Sequence, residues 1–296
     1  MKKIYKHRQL YILLLPALLY YLIFCYGPMF GLTMAFQDYS ITKGFFESEF
    51  VGFDNFIKFF NDTNFWRLIK NTLSISLWQL VFAFPLPIIF ALMLNEVANH
   101  RFKRVVQTIT YMPYFISLVV VTRLVLTFVS SDGLINNILG TLGIKPISFM
   151  TNPDYFYPIY TISSIWQYLG WDSIIYIAAL AGIDQTLYEA AQIDGAGRWK
   201  QMLHVTLPGI ASTIVILLVL KIGNLMGVGY EKIMLLYNST IYSKADVIST
   251  YVYRRGLIDT EYSYSAAVGM FNSIINFVLL VTANYISKKT TETGLW

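Results

Sequence analysis

Three ionisable residues lie inside otherwise apolar stretches of this chain: Arg123, Asp172 and Lys221. A charge at bilayer depth costs about 2.5–3.5 kcal/mol on insertion scales, so each must face protein or water rather than lipid. Three readings fit: a polar path for a solute, pairing between helices with Asp172 meeting either Arg123 or Lys221, or snorkelling of the side chain to an interface. Around Asp172 stand Trp166, Gln167, Tyr168, Trp171 and Tyr176. Such a mixture suits a sugar, whose C–H face stacks on a ring while its hydroxyls seek amides and carboxylates in a concave site. Trp and Tyr also mark membrane interfaces, which is the plainer reading of the same residues. Asn224 follows Lys221, and Asn272 and Asn276, four apart, fall on one helix face. They can add hydrogen bonds to a solute or join helices to one another.

Other chemistry is missing. No G-x-x-x-x-G-K-[ST] phosphate loop occurs, so nucleotide is not bound by that route. His7, His100 and His204 are isolated and lack metal-ligand spacing. No Ser/His/Asp constellation can be drawn. The expectation is a chain that is not an enzyme, with no metal and no cofactor of its own.

The elements that must position these residues are membrane helices. The chain has 296 residues, 56% hydrophobic and only 13% charged, against about 25% charged in soluble domains. The net charge of +5 is scattered at the ends of apolar spans, which argues against nucleic acid. Lys2, Lys3, Lys6 and Arg8 precede an apolar run like a signal peptide, but no small-x-small cleavage site follows, so the run reads as a retained span. Cys25, inside it, is the one cysteine, so no internal disulfide is possible.

Six spans are predicted by the ~20-residue criterion: Leu10 to Phe36, Thr72 to Leu94, Val105 to Val129, Tyr157 to Ala181, Gly209 to Val228 and Ala266 to Ile286. Gly27-Pro28 predicts a kink or a break near the far side of the first span, Pro85 and Pro87 interrupt the helix of the second, and the third contains Pro113. The domain reading is an N-terminus over 1–9, one membrane domain over 10–287 and a tail over 288–296. With the N-terminus inside, the inner segments hold Lys2, Lys3, Lys6, Arg8, Arg101, Lys103, Arg104, Arg198, Lys200, Lys288 and Lys289. Short basic loops stay in the cytoplasm, so both termini are placed there.

The same orientation puts Gln185–Pro208, QTLYEAAQIDGAGRWKQMLHVTLP, in the cytoplasm. Thr186 and Glu189 have capping-box spacing and predict a helix start. Leu187, Ala190, Ala191 and Asp194 share one face. Gly195-Ala196-Gly197 predicts its end. This stretch resembles the EAA loop of the membrane subunits of binding-protein-dependent ABC importers at Glu189, Ala190, Ala191, Asp194, Gly195, Ala196, Trp199, Leu207 and Pro208. Met202 departs from the pattern, standing where an aromatic residue is common.

The resemblance extends along the chain. Phe50-Val51-Gly52-Phe53-Asp54-Asn55-Phe56 with Asn71-Thr72-Leu73, Phe102-Lys103-Arg104 with Pro113, and Gly133-Leu134-Ile135-Asn136 look like segments of maltose-type sugar permeases. Leu14-Leu15-Pro16-Ala17 and Tyr26-Gly27-Pro28-Met29 are similar to the branch importing oligosaccharides from plant or algal polysaccharides. The resemblance implies an all-α, type I importer permease fold whose EAA loop forms a cytoplasmic coupling helix. It implies three kinds of partner besides lipid: a second homologous permease, two copies of an ATP-binding subunit that use ATP and Mg2+, and an extracellular solute-binding protein. It also implies alternating access in the bacterial cell membrane, with Glu189 contacting the ATPase. The competing reading is a stand-alone secondary transporter or channel for a small polar solute, which would show an inverted repeat or paired broken helices.

Overall fold

The computed structural model describes residues 8–296. His7 and the lysines before it, with most of the 1–9 segment, lie outside the described residues. In chain order the principal elements are α1 (Arg8–Phe36), β1 (Gln37–Asp38), β2 (Glu49–Phe50), α2 (Asp54–Phe60), α3 (Phe65–Asn95), α4 (His100–Phe115), α5 (Leu118–Phe128), α6 (Leu134–Thr141) and α7 (Phe156–Ala181). They continue as α8 (Gln185–Ile193), α9 (Arg198–Gly209), α10 (Ala211–Gly223), α11 (Tyr230–Leu236), α12 (Ile248–Tyr253) and α13 (Tyr262–Thr291). The strands form an antiparallel ribbon with Gln37 opposite Phe50 and Asp38 opposite Glu49.

Helices α1, α3 and α13 are long and apolar enough to cross a membrane, and two bent pairs, α4–α5 and α9–α10, pass together. Helix α7, at 26 residues, has the length to cross as well.

Prolines shape these helices. A proline lacks an N–H and its ring crowds the carbonyl one turn back. In three places a π-helical turn precedes one: Tyr21–Tyr26 before Pro28, Gln79–Ala83 before Pro85, and Met202–Thr206 before Pro208. Widening the turn makes room for the ring while most carbonyls keep a donor. Helix α1 therefore runs through Gly27-Pro28 as one span rather than ending there.

The third predicted span is corrected. Its two halves meet at 100°. Pro113 falls in a 3-10 turn, Ile116 is extended, and Ser117 caps α5 by accepting from the Val120 amide. The fifth predicted span, from Gly209, starts at a bend of 56° between α9 and α10, and its helix ends at Gly223 rather than Val228. At the other end, α13 continues past Ile286 to Thr291, and Leu295 N–H then bonds Asn284 Oδ1 at 2.7 Å, folding the last residues back.

Contacts divide the described chain into two units. One comprises the residues up to Phe65 with Val252–Phe271. Phe59, fully buried, centres an aromatic cluster there with Phe60, Phe65, Tyr264 and Phe271. Tyr264 donates to Asp62, and Arg255 pairs with both Asp259 and Glu261. Helix α1 keeps its apolar side chains exposed, as with Leu13 and Phe24, a surface suited to lipid or a partner helix.

The other unit comprises Trp66–Tyr251 with Asn272–Trp296. Helix α7 packs along the second half of α3, where Ile88, Ala91, Tyr176, Leu180 and Ile210 form a core. A second core joins Ile75, Phe156, Tyr160, Ile233, Leu236 and Val247. Buried polar groups tie the unit together. Asn71 donates to the carbonyls of Ser243 and Asp246 and accepts from Tyr157, while Thr72 accepts from the Ile248 amide. These bonds satisfy backbone groups in a segment that has no sheet or long helix to satisfy them.

Candidate functional site: a polar cavity and an exposed cytoplasmic-type loop

The helix over Gln185–Ile193 begins two residues earlier than the Thr186–Glu189 spacing predicts. Asp184 is extended (φ −65°, ψ 126°) and its Oδ1 accepts from the Thr186 amide at 2.9 Å. Asp184 is therefore the N-cap, and Thr186 already lies within the first turn. That hydrogen bond, with a further one from the Thr186 side chain, holds the Asp184 carboxyl below the ordinary carboxylate range.

The C-terminal end follows the reading of the glycines. Gly195 has φ +75°, a conformation that glycine adopts without strain. The Ala196 amide bonds the Ala191 carbonyl at 2.8 Å, and the Gly195 amide bonds that of Gln192 at 3.0 Å. This is a Schellman motif. Gln201 donates to the Ala196 carbonyl at 2.7 Å, and Tyr188 and Thr206 share a hydrogen bond of 3.0 Å that fixes α8 against α9. Between these ties Glu189, Ala190, Asp194 and Gly195 are exposed, and Ala191 and Ala196 are half-buried. Ile193 and Trp199 expose 87% and 76% of their surface. The capped helix thus leaves small and large apolar residues exposed side by side.

The second feature is a cavity of about 550 Å3 between α3, α7, α10 and α11. Of the residues singled out in the sequence, Tyr168, Asp172, Tyr176, Lys221 and Asn224 line it. Asp172 and Lys221 interact electrostatically across it, but no ion pair within 4.0 Å forms. Of the two pairings considered for Asp172, Lys221 is the neighbour.

The remaining predicted residues lie elsewhere. Arg123 is exposed on α5 and is not in the lining. Trp171 stacks flat on Tyr114, with centroids 4.1 Å apart and planes at 2°. Trp166 is half-exposed. Gln167 is buried outside the lining. Asn276 accepts from the Met226 amide at 2.8 Å, fixing the turn after α10. Asn272 shares its helix face and is likewise outside the lining. Hydrogen bonding within the fold, rather than contact with a solute, accounts for Asn276.

Several lining residues escaped the sequence reading: Ser76 and Gln79 from α3, Ser164 from α7, and Glu231 and Lys232 from α11. Lys232 sits in a segment polar enough to read as an outer loop. Yet it is 4% exposed, donates to Ser164 Oγ at 2.9 Å and lies 5.4 Å from the Tyr160 ring centroid. The available signal was helical spacing: Lys232, Ile233 and Leu236 form one buried face.

The family model for the binding-protein-dependent transport system inner membrane component matches residues 83–292. The chain belongs to this family. It is 47% identical over 292 residues to protein LplB of Bacillus subtilis (strain 168), covering 98% of this chain and 92% of that protein. It is 44% identical to the polygalacturonan/rhamnogalacturonan transport system permease protein YteP of the same organism, covering 99% and 92%. A solved bacterial alginate ABC transporter, in complex with a periplasmic protein bound to alginate pentasaccharide, contains a chain that superposes with a TM-score of 0.92 at 46% identity. Coverage is 99% of both chains.

This family member is a multi-pass membrane protein and the permease subunit of an ABC importer, with the helical fold of such permeases. It works with a second permease, ATPase subunits and a binding protein, and ATP is hydrolysed by the separate ATPases. The stand-alone transporter reading is thereby set aside.

Proposed function

We propose that this permease passes an oligosaccharide through the cavity between α3, α7, α10 and α11, crossing the membrane with six spans and both termini in the cytoplasm. The observation that carries the reading is the composition of that cavity. Tyr168 and Tyr176 offer ring faces beside Asp172, Lys221 and Asn224, which offer hydrogen bonds. Aromatic faces suit the C–H surface of a pyranose, and the polar groups suit its hydroxyls. The names of the relatives point the same way: polygalacturonan and rhamnogalacturonan in one, alginate in another.

Glu189, Ala190, Ala191, Asp194, Gly195 and Ala196 form the coupling surface in this reading. ATP closes the ATPase pair, the capped α8–α9 unit moves with it, and the bend between α9 and α10 passes the displacement to the helix carrying Lys221 and Asn224. A hinge works this way when both arms are rigid, and the caps of α8 supply one rigid arm. ATP and Mg2+ are bound by the ATPase and not by this chain.

The test is reconstitution of the complex in proteoliposomes with ATP inside and the binding protein outside. ATP-dependent accumulation of a labelled oligosaccharide is expected, with at least a tenfold loss in Asn224→Leu and Tyr168→Leu while the complex still assembles. Full uptake by both variants would remove the cavity from the path. In a Cys25→Ser background, a Lys289→Cys variant should react with an impermeant maleimide only from the ATPase side; labelling from the opposite side would overturn the orientation.

A further inference from the structure

The cavity wall holds one charge that the fold leaves uncompensated. Lys232 is 4% exposed, and its ammonium has a hydroxyl, Ser164 Oγ, and a ring face, Tyr160, for company. Among the described residues no carboxylate lies within 4.0 Å of it. The other cation of the wall is differently placed. Lys221 is exposed, and Asp172 faces it electrostatically. Glu231, the second acid of the lining, acts on Tyr168 and is itself exposed. Gln79, also in the wall, has its side-chain nitrogen buried without a hydrogen-bond partner.

Burying an ammonium without an anion is costly, and packing alone would select methionine or leucine here. A hydroxyl satisfies one of its three N–H donors, and the ring face adds a weak attraction. Two donors are left to point at whatever enters the cavity. A lysine is a compact charge on a flexible stem, suited to meeting a carboxylate whose position varies along a polymer. The Gln79 amide, in the wall of the same cavity, can donate a neutral hydrogen bond to the saccharide as well.

We propose that Lys232 is a specificity-determining residue that recognises a carboxylate on the transported saccharide, so that the substrate class is an acidic, uronate-containing oligosaccharide. The inference rests on the oligosaccharide reading above and adds the charge of the substrate to it.

The experiment compares trigalacturonate with its fully methyl-esterified form in the reconstituted complex, using one saturating binding-protein preparation for every variant. The ratio of the two uptake rates is the readout, because a merely structural role for Lys232 would lower both rates together. That ratio is expected to fall at least tenfold in Lys232→Met and to stay within threefold of wild type in Lys232→Arg. An unchanged ratio in Lys232→Met overturns the inference. Should Lys232→Met not assemble, the wild-type complex in detergent carries the test without binding protein: trigalacturonate must bind more tightly than its ester, and equal binding overturns the inference. Uptake of neutral arabinotriose with exclusion of trigalacturonate would remove the role of Lys232 and leave the oligosaccharide reading standing. Uptake of no saccharide at all would remove that reading itself.

Discussion

The Tyr188 hydroxyl lies 3.0 Å from Thr206 Oγ1, linking the middle of α8 to the turn just before Pro208. This bond bridges 18 residues and joins the exposed α8 to the arm that leads into α10. A net hydrogen bond of this kind is worth about 0.5–1.5 kcal/mol. Tyr188→Phe keeps the ring and removes the bond. The expected outcome is a complex that assembles normally but moves roughly two- to tenfold less sugar per ATP, measured as uptake against phosphate release in the same vesicles. An unchanged ratio would show that the two helices are held together by other contacts.

Gly195 supplies a second, purely backbone test. Its φ is +75°, and a Cβ built there meets nothing within 4 Å. Any penalty for Gly195→Ala is therefore conformational, about 1–2 kcal/mol for an L-residue in the left-handed region. Retention of the ATPase during purification should fall by roughly tenfold at 1.4 kcal/mol. Gly195→Asn should lose less, because Asn tolerates this region better than Ala. Equal loss in both would point to side-chain clash with the partner instead.

The local structure of the Gln185–Pro208 loop was legible in the sequence because its determinants are local. Gly195 ends α8 through its own φ, and the exposure of Glu189 and Asp194 follows from the polar run around them. Even so, Asp184 and Thr186 are both acceptable cap residues in sequence, and only the extended backbone at Asp184 decides between them. The break between α4 and α5 had a signal that the apolar run masked: Ser117 stands four residues after Pro113 and caps a fresh helix. The cavity was half legible. Tyr168, Asp172, Lys221 and Asn224 stood out because polarity inside a span is costly. Lys232 and Ser76 did not: helical spacing puts Lys232 on the face of Ile233 and Leu236, but only the packing of α11 and α3 decides that these faces are buried. Arg123 sits on an exposed side of α5, outside the lining of this cavity, where its long stem lets it snorkel.

Gly170 marks the closest approach of α7 to α4. A Cβ there would lie 2.2 Å from the Thr110 carbonyl oxygen and 2.9 Å from the Tyr111 ring. The carbonyl belongs to a helix backbone and cannot turn aside, so Gly170→Ala must push the two helices apart. Overpacking of this sort costs typically 1–3 kcal/mol and sometimes more. Thermal unfolding of the purified complex should start several degrees lower in Gly170→Ala. Gly140→Ala, on α6 with nothing within 4 Å, is the matched comparison. It should be neutral or stabilising by about 0.4–1 kcal/mol, because alanine only reduces the freedom of the unfolded chain. Equal melting of the two variants would show that α4 and α7 can separate without penalty.

The Asp184 cap carries a pH dependence whose sign follows from its charge. The Thr186 backbone N–H donates to the carboxylate, which lowers the folded-state pKa below the unfolded one. A group depressed in this way contributes its stabilisation fully above the unfolded pKa, near 3.9 for Asp. It loses that contribution as pH falls through the lower, folded value. The carboxylate also faces the positive end of the α8 dipole, which acts in the same direction. The α8 amides should thus keep their protection at neutral pH and lose it below about pH 4. Asp184→Asn retains a capping oxygen without the charge, so its protection should be lower at neutral pH but flat through the acid range. Asp184→Ala should be unprotected at every pH. Hydrogen exchange of the Gln185–Ile193 segment, corrected for intrinsic rates, checks all three, and a wild-type profile as flat as that of Asp184→Asn would show that the ionised cap does not hold this helix.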